Sequence, residues 1–433
     1  MEGPAPVTSV PATTAPVDLL YTDAERSLAS ALDDILAARS GPAGVIARTE
    51  QPETYDLALW KALASDIGIG GLLIAEELGG AGASYRELAA AAERFGAYVA
   101  PVPYLGSAVV ATAAMLSALA GAATAADTGP APAGASAAVR MFAAARERAA
   151  AASGAGISPA GLAADLLRRL AGGAVTAALA VPADLAPGAR FPVDARLSGA
   201  QPGDREEGIV RLRGTIRSVA DALPADVLLV PAEGVPNGLY LVEATAAGLH
   251  RAPVTSLDMT RQLCDITLDG APARQVASGP AAGLAVEAGL VAGAVILAAE
   301  QLGLAQRCLD MTVAYVKERR QFARQIGSFQ GLKHRLADLW ATIAQARAAS
   351  RYAAACLAAG DPDAPVALAL AKSACCEASV TAAQECVQMH GGIGFTWEHP
   401  AHLYLKRAKA ASVAFGTPGA HRAALAGLVN LPA

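Results

Sequence analysis

The chain has 433 residues, too many for one hydrophobic core, so two or three domains are expected. Hydrophobic residues reach 54% but aromatic residues only 4%, so alanine supplies much of the apolar content and favours closely packed helices. The net charge of −5 is small for this length. It therefore gives no electrostatic reason to expect nucleic acid or an anionic membrane surface as a partner.

The first part of the chain is predicted to be helical after a flexible tail at residues 1–17. Thr22 and Glu25 have the spacing of a capping box, which starts a helix that ends near Arg39. The other helices predicted here from apolar spacing and proline positions are Glu53–Ile67, Tyr85–Gly96, one beginning at or just after Pro103, and Leu162–Leu170.

Two segments of this region have an unusual composition. Phe95–Ala126 carries no charge and is long enough to cross a membrane, but its two prolines and many small residues predict a buried helix and no membrane span. Residues 122–159 are rich in Ala, Gly, Pro and Ser, which predicts an insertion or linker with a helix over Ala137–Ala152.

The middle of the chain changes to short, turn-punctuated strand patterns. The last strand alternates apolar and polar residues and is followed by Asp269-Gly270, a predicted turn. An antiparallel β barrel or sandwich is therefore expected. The predicted strands are Ala174–Val181, Ile209–Val219, Asp226–Val230, Leu239–Val242 and Leu263–Leu268.

The last part is helical again and predicts a four-helix bundle, because long helices with short connections pack antiparallel. Its predicted helices are Leu284–Val316, Leu332 to Gly360, Pro365–Met389, Pro400–Ala414 and Ala420–Leu431. The predicted fold class is therefore mainly α with a central β domain. The predicted division is an N-terminal helical domain over 18–171, a β domain over 172–278 and a C-terminal bundle over 279–433.

The six cysteines show no CxxC pair and no metal-ligand spacing, so no metal site is expected. All but Cys264 lie in helical patterns, where a small buried thiol is the expected role. Unpaired cysteines without a signal-peptide pattern indicate a cytoplasmic location.

A basic cluster closes the helix predicted over Leu284–Val316. The segment 315–330, YVKERRQFARQIGSFQ, contains Lys317, Arg319, Arg320 and Arg324. Positive side chains at a helix C-terminus can simply complement its dipole. Adjacent arginines also suit a phosphate or pyrophosphate, because each offers forked donors. The cluster by itself leaves both interpretations open.

Three segments resemble the acyl-CoA dehydrogenase family. They are LLIAEELGGAGASYRELAAAAERFGAYVAPVPY (72–104), GLAQRCLDMTVAYVKERRQFARQIGSFQGLKHRLADL (303–339) and QMHGGIGFTWEHPAHLYLKRAK (388–409). Helical domain, β domain and helical bundle, in that order, also resemble that family's plan. The resemblance covers nearly the whole chain outside the tail and the insertion. It is greatest to an actinobacterial subtype, some members of which are pairs of unlike subunits.

The resemblance implies FAD bound at a subunit interface and oxidation of the Cα–Cβ bond of an acyl thioester, presented by CoA or a carrier protein. In that family a carboxylate removes the α-proton. Arg319 matches the arginine that reaches a partner's FAD pyrophosphate. The remaining residues that match FAD contacts are Phe322, Gln330, Gln388, Gly391, Gly392, Gly394 and Thr417. For some of them a simpler explanation exists, because the three glycines can end a helix and Gln388 can lie on a polar helix face.

The chain departs from the family at the catalytic base. Phe415, just before Gly416-Thr417, occupies the place of the usual glutamate and cannot take a proton. The alternative position, on the long helix, is Gly293. Seven residues, about 700°, separate Gly293 from Glu300, so the two share a helix face. Glu300 is therefore the candidate base, with a pKa raised by its apolar surroundings; the alternative is a buried glutamate paired with a neighbouring element.

The β domain departs as well, because the segment after its first strand, PADLAPGARFPVDA, lacks the Ser and Thr that hold the flavin ring in the family. Contacts to adenosine and pyrophosphate are thus expected, while ring contacts and the base are not. We interpret this as a half-site that completes the FAD site of a related subunit in an α₂β₂ assembly, or of a second copy of the chain. The alternatives are a non-catalytic scaffold subunit and a flavin-dependent monooxygenase on the same fold.

Overall fold

The computed structural model describes residues 18–124, 158–199 and 208–429. The predicted tail at residues 1–17, the predicted helix Ala137–Ala152 and most of the 122–159 insertion lie outside the described residues. Within the described ranges, helices form both ends of the chain and a seven-stranded sheet lies between them. The predicted fold class is confirmed.

The N-terminal helices follow the local capping signals. At the start of α1 the Thr22 hydroxyl accepts from Glu25 N at 3.2 Å, and the Glu25 carboxylate accepts from Thr22 N at 2.6 Å, as the capping box predicts. α3 begins four residues later than predicted, because Asp56 is its N-cap. Tyr104–Ala111 is a π-helix that continues into α5. The helices are α1 Asp23–Arg39, α2 Pro42–Thr49, α3 Leu57–Asp66, α4 Tyr85–Tyr98, α5 Thr112–Thr124 and α6 Pro159–Ala171.

The sheet has the strand order β1-β4-β5-β7-β3-β2, with β6 also paired to β7. Its ladders are antiparallel except for β1 with β4. Leu197 N in β2 donates to Glu233 O just after β4, at 3.3 Å, and Glu233 N donates to Ala195 O at 2.8 Å. The sheet therefore closes into a barrel. The strands are β1 Ala177–Leu179, β2 Ala195–Ser198, β3 Ile209–Ala220, β4 Val227–Ala232, β5 Gly238–Glu243, β6 Leu249–Val254 and β7 Leu263–Ser278.

The turn predicted at Asp269-Gly270 is wrong. β7 continues through it, and the register passes from the Arg213–Asp269 pair to the Leu212–Ala271 pair, leaving Gly270 unpaired. This is a β-bulge, and its φ of 70° suits glycine. The Asp-Gly pair predicted a turn, but a bulge favours glycine for the same reason, because both need a positive φ.

The C-terminal helices form the predicted bundle. α7 is 39 residues long and begins at Pro280, its first helical position. α8 ends at the predicted Gly360, whose φ is 64°. A short hairpin, β8 Arg320–Gln321 with β9 Arg324–Gln325, connects α7 to α8. The helices are α7 Pro280–Glu318, α8 Gln330–Ala359, α9 Ala364–His390, α10 Ala401–Ala411 and α11 Pro418–Leu428. The division into three domains stays a prediction.

Two hydrophobic cores meet at the sheet because successive residues of a strand point to opposite faces. Leu229 of β4 and Leu241 of β5 face the helices, while Leu228 and Val242 face the inside of the barrel. All six cysteines are buried and free, as expected for the five in helical patterns, and Cys264 of β7 is buried as well.

Within the described ranges, three helical segments are long and apolar enough to cross a membrane by length and composition. The most apolar stretch of 18 residues in the first segment is 89% buried within the protein, and that of each of the other two is 67% buried. Their apolar surface therefore serves mainly in packing within the chain. The segments are Tyr104–Gly121, Pro280–Glu318 and Ala364–Phe395.

Candidate functional site

A cavity of about 530 Å³, which we call the central cavity, lies between the barrel, the π-helix and the α10–α11 connection. Its size and its mostly apolar wall with a few polar groups are those of a small-molecule site. The main lining segments are Leu105 and Val110 of the π-helix, Val181–Asp184 after β1, Thr255–Asp258 after β6, and Val413–Phe415.

Phe415 and Gly293, the two positions at which the sequence departs from a catalytic base, meet at this cavity. A Cβ on Gly293 would lie 2.7 Å from Cζ of Phe415 and 2.9 Å from Cγ2 of Val110, so the ring fills the space of a side chain at position 293. Phe415 N donates to Ala183 O at 2.9 Å, and its carbonyl pairs with His421 Nε2 at 2.8 Å. Neither position offers a proton acceptor.

Glu300, the candidate base, lies in a buried ion-pair cluster. Its Oε1 accepts from Arg407 Nε at 2.8 Å and its Oε2 from Arg261 Nη2 at 2.6 Å. Burial alone raises the pKa of Glu300, but the charges and hydrogen bonds of the two arginines lower it to about 2. The expected raised pKa is wrong, because the apolar run of one helix does not show which charges other elements bring. Catalysis by Glu300 stays a prediction, and this geometry favours the paired alternative.

The cluster extends beneath the cavity. Arg407 Nη1 also donates to Asp258 Oδ2 at 3.2 Å, and Asp221 accepts from Tyr55 Oη at 2.6 Å and from Gly106 N at 2.9 Å. The carboxylates and guanidinium groups come from the barrel and the bundle, and the N-terminal region adds the Tyr55 hydroxyl and the Gly106 N–H. The cluster therefore ties the three regions together where the cavity is formed.

The polar groups of this cavity were not found by sequence reasoning. Asp184, Asp221, Asp258 and Arg261 line it, and they follow β1, β3 and β6. Loops at strand ends converge only after the barrel closes, so their spacing in the chain carries no signal. Asp184 is exposed and has no partner among the described residues.

The basic cluster of the sequence lies at the other end of α7, and we call it the basic corner, residues 317–330. From Gly293 to Arg319 the helix rises about 39 Å, at 1.5 Å per residue. Arg319 is the C-cap residue of α7, and its N donates to Tyr315 O at 2.9 Å. The central cavity and the basic corner of one chain are therefore far apart.

The side chains of the basic corner point to solvent. Arg319 is exposed and Phe322 is 86% exposed. The guanidinium of Arg324 lies 3.9 Å from the centre of the Phe329 ring. Among the described residues, no carboxylate pairs with the four basic side chains of the corner. Free guanidinium groups beside an exposed ring fit an anion that carries an aromatic group, which is what FAD presents.

The end of α9 lies beside this corner. Tyr315 stacks on His390 with ring centroids 4.4 Å apart, and its hydroxyl donates to His390 O at 3.3 Å. Gln388 on the last turn of α9 and Gln330 at the start of α8 are both exposed. The structure thus brings the two family-like segments together at one end of the bundle, as the resemblance implies.

The glycines after α9 differ in what they require. Gly391 has a φ of 63°, which favours glycine, and a Cβ on Gly394 would lie 2.6 Å from Val387 O. Those two have explanations within the chain. A Cβ on exposed Gly392 would meet nothing within 4 Å among the described residues, so packing in this part of the chain does not require glycine there.

Thr417 lies away from the basic corner. It is the N-cap of α11, and its hydroxyl accepts from Ala420 N at 3.2 Å. This local role accounts for the residue without a cofactor, so its contact with FAD stays a prediction.

Comparison with known proteins identifies the fold's relatives. Models of the acyl-CoA dehydrogenase N-terminal domain and C-terminal domain match residues 22–127 and 283–428. Acyl-CoA dehydrogenase IpdE2 of Mycobacterium tuberculosis is 33% identical over 384 residues, which cover 89% of this chain and 90% of that protein.

Solved structures agree. A chain of the ChsE4–ChsE5 complex from Mycobacterium tuberculosis superposes with a TM-score of 0.73 at 27% identity, covering 96% of this chain and 100% of that one. A glutaryl-CoA dehydrogenase from Mycobacterium smegmatis in complex with FADH2 shares the fold, with a TM-score of 0.71 at 18% identity and 96% of each chain covered. With matching domains at both ends and 89% of its length aligned to IpdE2, the chain belongs to the acyl-CoA dehydrogenase family.

Proposed function

We propose that this chain is one subunit of an FAD-dependent acyl-CoA dehydrogenase, and that its basic corner completes the FAD site of a related subunit that supplies the catalytic carboxylate. The separation of the two sites carries this proposal. Phe415 fills the place of a base in the central cavity, while Arg319 lies about 39 Å away along α7. A corner so far from its own cavity acts only on a site that another subunit brings to it.

The residues of the corner have distinct roles in this proposal. Arg319 would hold the pyrophosphate through its guanidinium group, and Phe322 would hold the adenosine part. Gly392 lets the backbone approach the cofactor because it has no side chain. When bound, FAD would be the hydride acceptor in the oxidation of the Cα–Cβ bond of the acyl thioester. CoA or a carrier protein would present this thioester.

The partner is proposed to be a related acyl-CoA dehydrogenase-like chain in an α₂β₂ assembly. The similarity to a chain of the ChsE4–ChsE5 complex supports an assembly of this kind. Exposed apolar side chains on the basic corner, on α8 and in the segment after α9 give a second subunit a surface to cover, since large exposed hydrophobic groups mark interaction sites. They are Phe322, Trp340, Ile393, Phe395 and Trp397. The free state of all six cysteines supports the cytoplasmic location.

The absence of a base at Phe415 and Gly293 also supports a second candidate function, a non-catalytic subunit that only completes the partner's flavin site. The two differ in what the acyl thioester touches. In the first, substitutions in the central cavity of this chain change turnover; in the second, they leave it unchanged. A flavin monooxygenase needs no such carboxylate either, and it consumes oxygen with reduced flavin in the absence of acyl-CoA.

Flavin absorbance tests the proposal. The chain is purified alone and after co-expression with an acyl-CoA dehydrogenase-like partner. We expect little FAD in the lone chain, and stoichiometric FAD that acyl-CoA bleaches in the complex. Arg319→Gln removes a charged pair of hydrogen bonds of about 1.5–3 kcal/mol and should weaken FAD binding to the complex by about 10- to 150-fold.

Arg39→Gln is the matched control, because Arg39 is also an exposed arginine at a helix end, that of α1, and lies outside the basic corner. It should change FAD binding by less than about threefold, as expected for an unpaired surface charge. Stoichiometric FAD in the lone chain, bleached by acyl-CoA, would overturn the half-site.

A further inference from the structure

A fully buried lysine lies behind the wall of the central cavity. Lys372 of α9 is 0% exposed, and among the described residues no carboxylate lies within ion-pair distance of it. Its Nζ donates to Ala411 O, at the end of α10, at 2.9 Å and to Cys376 Sγ at 3.0 Å. A cation at a helix C-terminus is favourable, which explains the first contact. The second contact joins an amine to a thiol one turn further along the same helix.

The sulfur is held as firmly as the nitrogen. Cys376 is 1% exposed, and its Sγ donates to Gln301 Oε1 of α7 at 3.2 Å. The Gln301 amide in turn donates to Ser379 Oγ at 3.4 Å. Both reacting atoms therefore have a second partner that fixes their position. The nitrogen and the sulfur are 3.0 Å apart, so one oxygen atom can join them after a small approach of the two side chains.

We propose that Lys372 and Cys376 are a modification site, where a peroxide joins Nζ and Sγ through an oxygen atom. The first hydrogen peroxide oxidises the thiol to a sulfenic acid and leaves as water. The second takes one hydrogen from the sulfenic O–H and one from the amine as the N–O bond forms, and leaves as two waters. The lysine releases its extra proton, so the balance is Lys–NH₃⁺ + Cys–SH + 2 H₂O₂ → Lys–NH–O–S–Cys + 3 H₂O + H⁺.

A second cavity, of about 580 Å³, reaches to within one helical turn of Lys372. It lies between α7, α9 and α11 and is lined by Leu368, one turn before Lys372, and by His421. Hydrogen peroxide is small and uncharged, so it can enter the cavity without bringing a charge into the apolar interior. The bridge removes the lysine charge from Ala411 O, where the connection to Phe415 begins. Oxidation should therefore loosen the wall of the central cavity and lower the melting temperature.

Peptide mapping of the peroxide-treated chain tests this site. We expect a product that has gained one oxygen and lost two hydrogens, that resists trypsin after Lys372, and that returns to its original mass with dithiothreitol. Cys376→Ser should abolish the product and the reversible drop in melting temperature. Lys372→Arg should abolish the product as well.

Cys375→Ser is the matched control, because its buried thiol instead contacts Ala346 O of α8 at 3.4 Å. This variant should form the bridge as the native chain does. Only sulfinic or sulfonic acid on Cys376, with normal cleavage after Lys372, would overturn the proposal. A product that persists in Cys376→Ser would overturn it as well. Cys376→Ser replaces only a thiol by a hydroxyl, so it keeps the shape of the site and remains informative if Lys372→Arg does not fold.

Discussion

Replacing Glu300 by glutamine is the most direct test of the buried charge cluster. The carboxylate is 2% exposed and bonds the guanidinium groups of both Arg261 and Arg407. Glutamine keeps the shape but leaves both cations facing a neutral amide. Removing one partner of a buried ion pair costs about 3–5 kcal/mol. The fall of the Glu300 pKa from 4.5 to about 2 corresponds to about 3 kcal/mol, so the two magnitudes agree.

The pH dependence gives this prediction its sign. The pKa of Glu300 is lower in the folded protein than in the unfolded chain, so its stabilisation is complete above pH 4.5 and is lost as the pH falls towards 2. The native chain should exceed Glu300→Gln in free energy of unfolding by about 3 kcal/mol at pH 7 and by about half of that at pH 3.

Urea unfolding followed by circular dichroism measures this difference. Glu377→Gln is the control, since it breaks the exposed pair with Arg422 and should cost less than about 1 kcal/mol. A loss below about 1 kcal/mol for Glu300→Gln at pH 7, or a loss that does not shrink at pH 3, would refute the reasoning. A stable variant that loses turnover in an active complex would instead support Glu300 as the base.

Three further predictions concern the packing and the basic corner. Gly293→Ala places a Cβ 2.7 Å from the Phe415 ring and should cost about 1–3 kcal/mol in thermal unfolding. Adding Phe415→Ala should recover part of this cost, and strictly additive costs would show that the ring does not fill the space. Ala323→Gly, at a φ of 62°, should stabilise the chain by about 1 kcal/mol, and an unchanged melting temperature would contradict the left-handed turn. Gly392→Ala should leave the melting temperature unchanged yet weaken FAD binding in the complex. Gly391→Ala, at a φ of 63°, should instead lower the melting temperature. Equal FAD binding by Gly392→Ala and the native chain would remove the cofactor explanation for Gly392.

The sequence by itself determined the features that neighbouring residues decide. The capping box of Thr22 and Glu25 and the helix end at Gly360 are local signals, and the structure confirms both. Apolar periodicity and turn residues sufficed for the order of helices, strands and helices. The motif around Arg319 located the basic corner, because its residues are close in the chain as well as in space.

Tertiary structure alone decided the features that depend on distant residues. The pKa of Glu300 depends on Arg261 and Arg407, 39 and 107 residues away, so the apolar helix around it predicted the wrong direction. Asp269-Gly270 suits a turn and a bulge alike, and only the pairing of β7 with β3 made it a bulge. The rise of about 39 Å between the central cavity and the basic corner follows from one unbroken helix, α7. Electrostatic fields and packing act through space, and chain order does not report which elements will share that space.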